Sequence, residues 1–195
     1  MNTNGEVTFV NGSGYAPKAL SIQLMKTVGY EQMPNFGPFS AVIPGMVDGL
    51  RILWEKYGSI EWKKILNLVI ESLKNGFPLS YSTVGALNSY REYLMEDEGS
   101  KNTYFYASEA YSTGDLFNFR GAIEALKLIA DDPREFYEGE IASSIVEYVR
   151  SLGGVFSLED FKKYRAEFGE PLSIKLENGI VVYEMPPNTQ SITTL

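Results

Sequence analysis

The chain has 195 residues, 44% of them hydrophobic and 22% charged, which is the composition of a chain that buries a core rather than a disordered one. Its formal charge of −8 argues against a nucleic-acid partner, because phosphate binding needs clustered Lys and Arg. It has no Cys and no His, which excludes disulfides, thiol nucleophiles, Cys or His metal sites and any Ser-His or Cys-His catalytic pair, and leaves the redox compartment open.

Taken in chain order, Glu6 to Val10 reads as a strand broken by "NGSG". Pro17 then stands where a first helical residue belongs, with Leu20, Leu24, Met25 and Val28 on one face and Gly29 as a stop. "MPNFGPFSAVIPG" (Met33 to Gly45) is a loop, and Met46 to Tyr57 a helix with a broad apolar face at Val47, Leu50, Ile52, Leu53 and Trp54. Glu61 to Lys74 is the clearest helix, with Trp62, Ile65, Leu66, Val69, Ile70 and Leu73 at three-four spacing. "NGFPLS" ends it, and Ser80 caps a helix that runs to about Met95.

Glu96 to Gly114, polar and tyrosine-rich, is expected to be an irregular surface loop. Phe119 to Ala130 reads as helix. Asp132 is expected as the N-cap of the next, with Pro133 in its first turn and Glu135 three residues on. After Gly139 the stripe Ile141, Ala142, Ile145, Val146, Val149 continues to Gly153-Gly154. Ser157 with Asp160 is a second capping box, opening a helix through Tyr164. "SIKLENGIVVYEM" is a hairpin whose Asn178-Gly179 pair suits a type I′ turn.

"MNTNGEVTFV" lacks the basic region and apolar core of a leader, and no apolar run approaches the ~20 residues of a membrane span. A soluble chain without a membrane partner is expected, with the cytoplasm the favoured compartment. In "MPPNTQSITTL", Asn188 or Thr189 offers a helix cap with almost no residues after it. The opening strand, too, has no partner nearby other than the distant hairpin. Both features lead to the expectation that the sequence is part of a larger protein.

Little catalytic chemistry is visible. "NGSGYAP" could turn backbone N–H groups toward an anion at a helix start, but it lacks the third glycine of a dinucleotide fingerprint and the Lys of a phosphate loop. A tight turn is the simpler reading. The acids at Glu96 to Glu98, Asp131-Asp132, Glu138 with Glu140 and Glu159-Asp160 could in principle pair for glycoside hydrolysis. Placement at helix starts and on solvated faces makes helix stabilisation their expected role. Calcium-loop spacing is absent. Without His, a Ser or Thr nucleophile needs a Lys or a free N-terminal amine. The chain holds no S-x-x-K and no G-x-S-x-G, so no catalytic residue is assigned within it, and neither a cofactor nor a metal is expected.

The order of landmarks carries more. "IPGMVDG" (Ile43 to Gly49), "YG" (Tyr57-Gly58), "NGFPLS" (Asn75 to Ser80), "FYEGEIA" (Phe136 to Ala142), "GGVFSLEDFKKY" (Gly153 to Tyr164), "EPL" (Glu170 to Leu172) and "MPPNTQS" (Met185 to Ser191) together resemble the large subunit of the gamma-glutamyltranspeptidase family. The resemblance implies an α+β fold, the helix-rich part of a four-layer αββα N-terminal nucleophile hydrolase sandwich. Residues 1–195 would then form a single domain segment in the middle of the large subunit. It further implies a precursor that cleaves itself, giving a small subunit that begins with a catalytic Thr outside this chain. The implied partners are that small subunit and a gamma-glutamyl or other acyl amide substrate, in an oligomer.

The family's R-E-x-A-P motif supplies an Arg for the substrate's alpha-carboxylate. Aligned on Ala16-Pro17, the Arg position is Ser13 and the Glu position Gly14, and Tyr15 stands where acylase relatives often carry Arg. Ser13 and Tyr15 are therefore the expected substrate-binding residues, with weakened recognition of a free amino-acid carboxylate. The glycine expected after "PPxxQ" is Ser191. An amidohydrolase or acyltransferase part is the first expectation. The alternatives are a catalytically silent relative that binds or supports, and a free-standing helical interaction domain.

Overall fold

The computed structural model describes residues 4–106 and 110–195. In chain order its elements are β1 (Phe9–Asn11), α1 (Ile22–Thr27), α2 (Met46–Tyr57), α3 (Trp62–Lys74), β2 (Phe77–Pro78), α4 (Tyr81–Ser89), α5 (Arg91–Glu96), α6 (Glu98–Tyr104), β3 (Leu116–Phe117), α7 (Arg120–Asp131), α8 (Glu135–Glu138), α9 (Glu140–Ser151), α10 (Leu158–Lys163), β4 (Glu167–Gly169), β5 (Leu172–Lys175), β6 (Val181–Glu184) and a final 3₁₀ turn (Gln190–Thr194). The described residues form an α+β chain in which helices dominate. They divide into two compact units, Met1–Ser59 with Pro133–Leu195, and Ile60–Asp132.

In the first unit β1 pairs antiparallel with β4, Val10 opposite Phe168, and β5 pairs antiparallel with β6. The core is Ile43, Tyr137, Ala142, Val146, Phe156, Phe161 and Tyr164. The apolar positions of α9 face it because Ala142 and Val146 are one helical turn apart. Burying a side chain of the size of Phe161 contributes about 2–3 kcal/mol relative to leaving it in water. The capping box at Ser157 and Asp160 forms as its spacing predicts, and Asp160 Oδ1 also accepts the Lys18 N–H at 3.0 Å.

In the second unit α3 packs along α7, and the Trp62 indole donates to Ile129 O at 2.8 Å. Its core cluster mixes aliphatic and aromatic side chains: Leu79, Val84, Leu87, Phe105, Tyr111 and Phe117. Phe117 and Phe119 meet edge to face at 4.7 Å.

Several boundaries move for local reasons. The first helix starts after Ser21, whose Oγ accepts the Leu24 N–H, and Pro17 belongs to a turn closed by Leu20 N–H to Pro17 O. The helix after Ser80 breaks at Tyr90 into α4 and α5. Of the stretch expected to be loop, Glu98–Tyr104 is helix, because Asp97 accepts the Ser100 N–H as an N-cap; residues 107–109 lie outside the described set. Asp132 closes α7, and α8 starts after Arg134 with no side-chain cap. The β5–β6 turn has positive φ only at Gly179, and Gly179 N–H bonds to Leu176 O, so it is a type I turn followed by a left-handed glycine rather than type I′.

Candidate functional site

The loop from Asn11 to Pro17 leaves β1 and carries Ser13 and Tyr15, both exposed. Its path is set by close backbone approaches. A Cβ on Gly14 would sit 1.9 Å from Ile43 O, and Tyr15 O accepts the Ile43 N–H at 3.1 Å. The loop therefore lies tight against the segment entering α2. Asn11 Oδ1 accepts the Ser13 N–H at 3.1 Å, closing an Asx turn, and accepts Asn188 Nδ2 at 3.0 Å. That second bond brings the "PPNTQS" segment to the loop.

The glycine-rich turn does not feed a helix N-terminus. The Ser13 N–H is spent inside the turn, and α1 begins at Ile22 with its own cap. The anion-cradle reading is set aside on that geometry, and the tight-turn reading holds. The acids read as helix stabilisers divide: Asp131 and Asp132 stand at the end of α7 rather than at a helix start, while others take capping or pairing roles. Asp97 and Asp160 cap helices, Glu138 pairs with Arg134, Glu159 with Lys163, and Asp131 with Lys63.

Tyr164 supports the loop from the core side. Fully buried, it donates its hydroxyl to Ser13 O at 2.9 Å, and its ring lies between Tyr15 (centroids 4.9 Å) and Tyr137 (5.4 Å, nearly parallel). Burial, with the Asp48 carboxylate nearby, pushes that hydroxyl up to about 12, so it stays protonated and donating at neutral pH. Gly45 is required here, since a Cβ on it would meet the Tyr164 hydroxyl at 1.9 Å. Tyr15 Oη sits 3.3 Å from both Lys163 O, to which it donates, and Arg165 N, from which it accepts. Among the described residues Ser13 Oγ has no hydrogen-bond partner.

Below Tyr164 lies a buried charge. Asp48, in the first turn of α2 and wholly inaccessible, takes Arg51 Nε at 2.8 Å and Arg134 Nη1 at 3.2 Å on Oδ1, and the Ala166 N–H at 2.7 Å on Oδ2. Burial works to raise its carboxyl. The Arg51 bond, the Ala166 N–H and the two guanidinium charges outweigh it and hold the group below its ordinary value of 3.8. Tyr137 accepts the Asp48 N–H and donates to Pro44 O, both at 3.0 Å, and burial pushes its hydroxyl far up.

Asp48, Arg134, Tyr137 and Tyr164 were not singled out from sequence. Three of the family-like segments contain Asp48, Tyr137 and Tyr164, Arg134 lies just before "FYEGEIA", and one available signal was an isolated Asp inside the apolar helix start "IPGMVDGL". Among the described residues no group of three or more Asp and Glu could hold a metal ion, and no helix is long and apolar enough to cross a membrane.

A gamma-glutamyltranspeptidase family model matches residues 1–195. The chain belongs to the gamma-glutamyltranspeptidase family. The glutathione hydrolase-like YwrD proenzyme of Bacillus subtilis is 31% identical over 191 residues, covering 97% of this chain and 36% of that protein. The glutathione hydrolase proenzyme of Escherichia coli is 31% identical over 74% of this chain and 25% of its own length. Among solved structures, the cephalosporin acylase from Bacillus halodurans superposes with a TM-score of 0.88 at 29% identity, over 95% of this chain and 36% of that one. The Helicobacter pylori gamma-glutamyltranspeptidase gives 0.87 at 25% identity, over 96% and 55%. The fold is that of the matching part of a family member, and the expected N-terminal nucleophile hydrolase class holds. The chain spans between a quarter and about a third of the length of these curated relatives.

Proposed function

We propose that the complete protein transfers or hydrolyses a gamma-glutamyl or related acyl group through an N-terminal Thr outside this chain, and that residues 1–195 are the middle of its large subunit and support that chemistry. The family match along all of residues 1–195 carries the reading. Its expected partner is a small subunit released from a precursor, in keeping with the proenzyme names of the relatives. Assembly into an oligomer and a cytoplasmic location belong to the same proposal.

Within it, Ser13 and Tyr15 line the acyl-donor site. Both sit on one exposed loop held by the core, and Ser13 turns an uncommitted hydroxyl to solvent where the family motif has a guanidinium. Tyr15 contributes its ring face, since its hydroxyl is engaged with Lys163 and Arg165. A neutral residue at position 13 forgoes a charge-assisted bond of about 1.5–3 kcal/mol to a free alpha-carboxylate. The preferred donor is therefore an acyl amide lacking that carboxylate, such as a 4-aminobutyryl amide, over a gamma-glutamyl amide.

The test is the full-length gene product. Intact mass should show two chains after self-cleavage, and 4-aminobutyryl p-nitroanilide should turn over faster than gamma-glutamyl p-nitroanilide. Ser13→Arg should shift that preference toward the gamma-glutamyl donor by about tenfold, the factor carried by 1.4 kcal/mol. An unprocessed precursor with no turnover of either amide would instead make it a silent relative. An unchanged preference in Ser13→Arg would remove position 13 from the site.

A further inference from the structure

We propose that Tyr164 is a positioning residue for the acyl-donor loop: its hydroxyl bond to Ser13 O holds residues 11–15 in the shape that presents the Ser13 side chain outward. The inference rests on the donor-site reading of Ser13 and adds to it the device that fixes the loop. A buried aromatic kept only for its area needs no polar match, and Phe would serve. Here the hydroxyl has one acceptor, Ser13 O at 2.9 Å, and a space left for it by Gly45, where a Cβ would lie 1.9 Å from the oxygen.

The support below is rigid. The Tyr164 ring stacks on Tyr137, whose hydroxyl joins Pro44 O to the Asp48 N–H, and Arg134 lies over the Tyr137 ring at 4.7 Å while pairing with Asp48. The segment that carries Tyr164 is anchored at Ala166 N–H to Asp48 Oδ2. The same segment holds the loop a second time, through Tyr15 Oη at Lys163 O and Arg165 N. The loop thus has two tethers to residues 163–165, a segment whose neighbour Ala166 is bonded to the buried carboxylate. Of the two, the Tyr164 tether reaches the backbone of the residue that replaces the motif Arg, and with the Asn11 Oδ1 bond to the Ser13 N–H it sets where position 13 points.

The experiment uses the complete, processed protein with Tyr164→Phe, which keeps the ring and its stacking. Backbone amide exchange in residues 11–15 should speed up about tenfold while α9 and α10 stay protected. The KM of the acyl donor should rise about fivefold, with kcat and the acceptor KM changed less than twofold. Phe161→Leu is the packing control, loosening the same core without touching Ser13; it should lower the unfolding midpoint and leave the donor KM within twofold. Unchanged loop exchange in Tyr164→Phe, or an equal donor KM rise in Phe161→Leu, overturns the proposal. Absence of turnover in the unaltered protein sinks the functional reading instead, and the exchange measurement still decides the tether.

Discussion

Asp48 illustrates why a buried charge is held so firmly. Its carboxylate is fully enclosed, and both guanidinium partners are about four-fifths covered, with 18% and 20% of their side chains exposed. Removing the negative charge leaves two cations in a poorly solvated place, a change that typically costs about 3–5 kcal/mol. Asp48→Asn is expected to lose about 3 kcal/mol of unfolding free energy, read from denaturant midpoints at neutral pH. The folded carboxyl titrates below 3.8, its ordinary value, so its stabilisation is complete above that pH. It is lost as pH falls through the lower folded value. Asp48→Asn should therefore flatten the acid limb of the stability profile, and an acid limb as steep as the parent's would contradict the assignment. The Asp48–Arg51 pair is an i,i+3 spacing that sequence could have shown, but its burial and its partners Arg134 and Ala166 arrive from distant positions and had no local signal. Ser13 and Tyr15 were named from a motif. The Tyr164 contact beneath them, 151 positions away, had no such signal.

At the scale of elements, legibility followed how local the determining interaction is. The Met46–Tyr57 helix and the Ser157–Asp160 capping box match their predicted limits, since three-four periodicity and a four-residue cap lie within the element. α6 was missed because Asp97 was read as one member of an acidic run, whereas its carboxylate caps Ser100 N–H. The hairpin was found but its turn was not, because Asn178-Gly179 suits more than one turn and the bond from Gly179 to Leu176 selects among them. The partner of β1 was not anticipated at all, since β4 is three residues long and 158 positions on in register, Val10 against Phe168. For the best-read element, Ser157→Ala should destabilise the protein by about 1 kcal/mol. The loss should be measured beside Ser151→Ala, whose hydroxyl bonds only to Tyr148 O in an exposed last turn and which should change stability far less.

For the molecule as a whole, the informative surface is apolar. On α2, Met46, Leu50, Leu53 and Tyr57 follow one another at intervals of four, three and four residues, forming a single stripe along the helix. All four are exposed, Met46 at 69%, while the opposite side of the helix carries Asp48 into the core. The β5–β6 hairpin adds exposed Ile174, Ile180, Val181 and Tyr183. An exposed apolar stripe of this length suits a contact surface, and under the proposed function the rest of the complete protein covers it. The sequence reading gave α2 a broad apolar face, and the exposed stripe at Met46, Leu50, Leu53 and Tyr57 shows that part of that face is not core among the described residues. The isolated 195-residue chain should consequently bind a hydrophobic dye such as ANS strongly and self-associate, while the complete protein does neither. Leu50→Lys with Leu53→Lys separates the causes. In the isolated chain the pair should suppress dye binding and association at little cost to unfolding free energy, and in the complete protein it should destabilise by several kcal/mol through two buried, unpaired ammonium groups. Equal stability of the complete protein with and without the lysines would show that the stripe faces water there too.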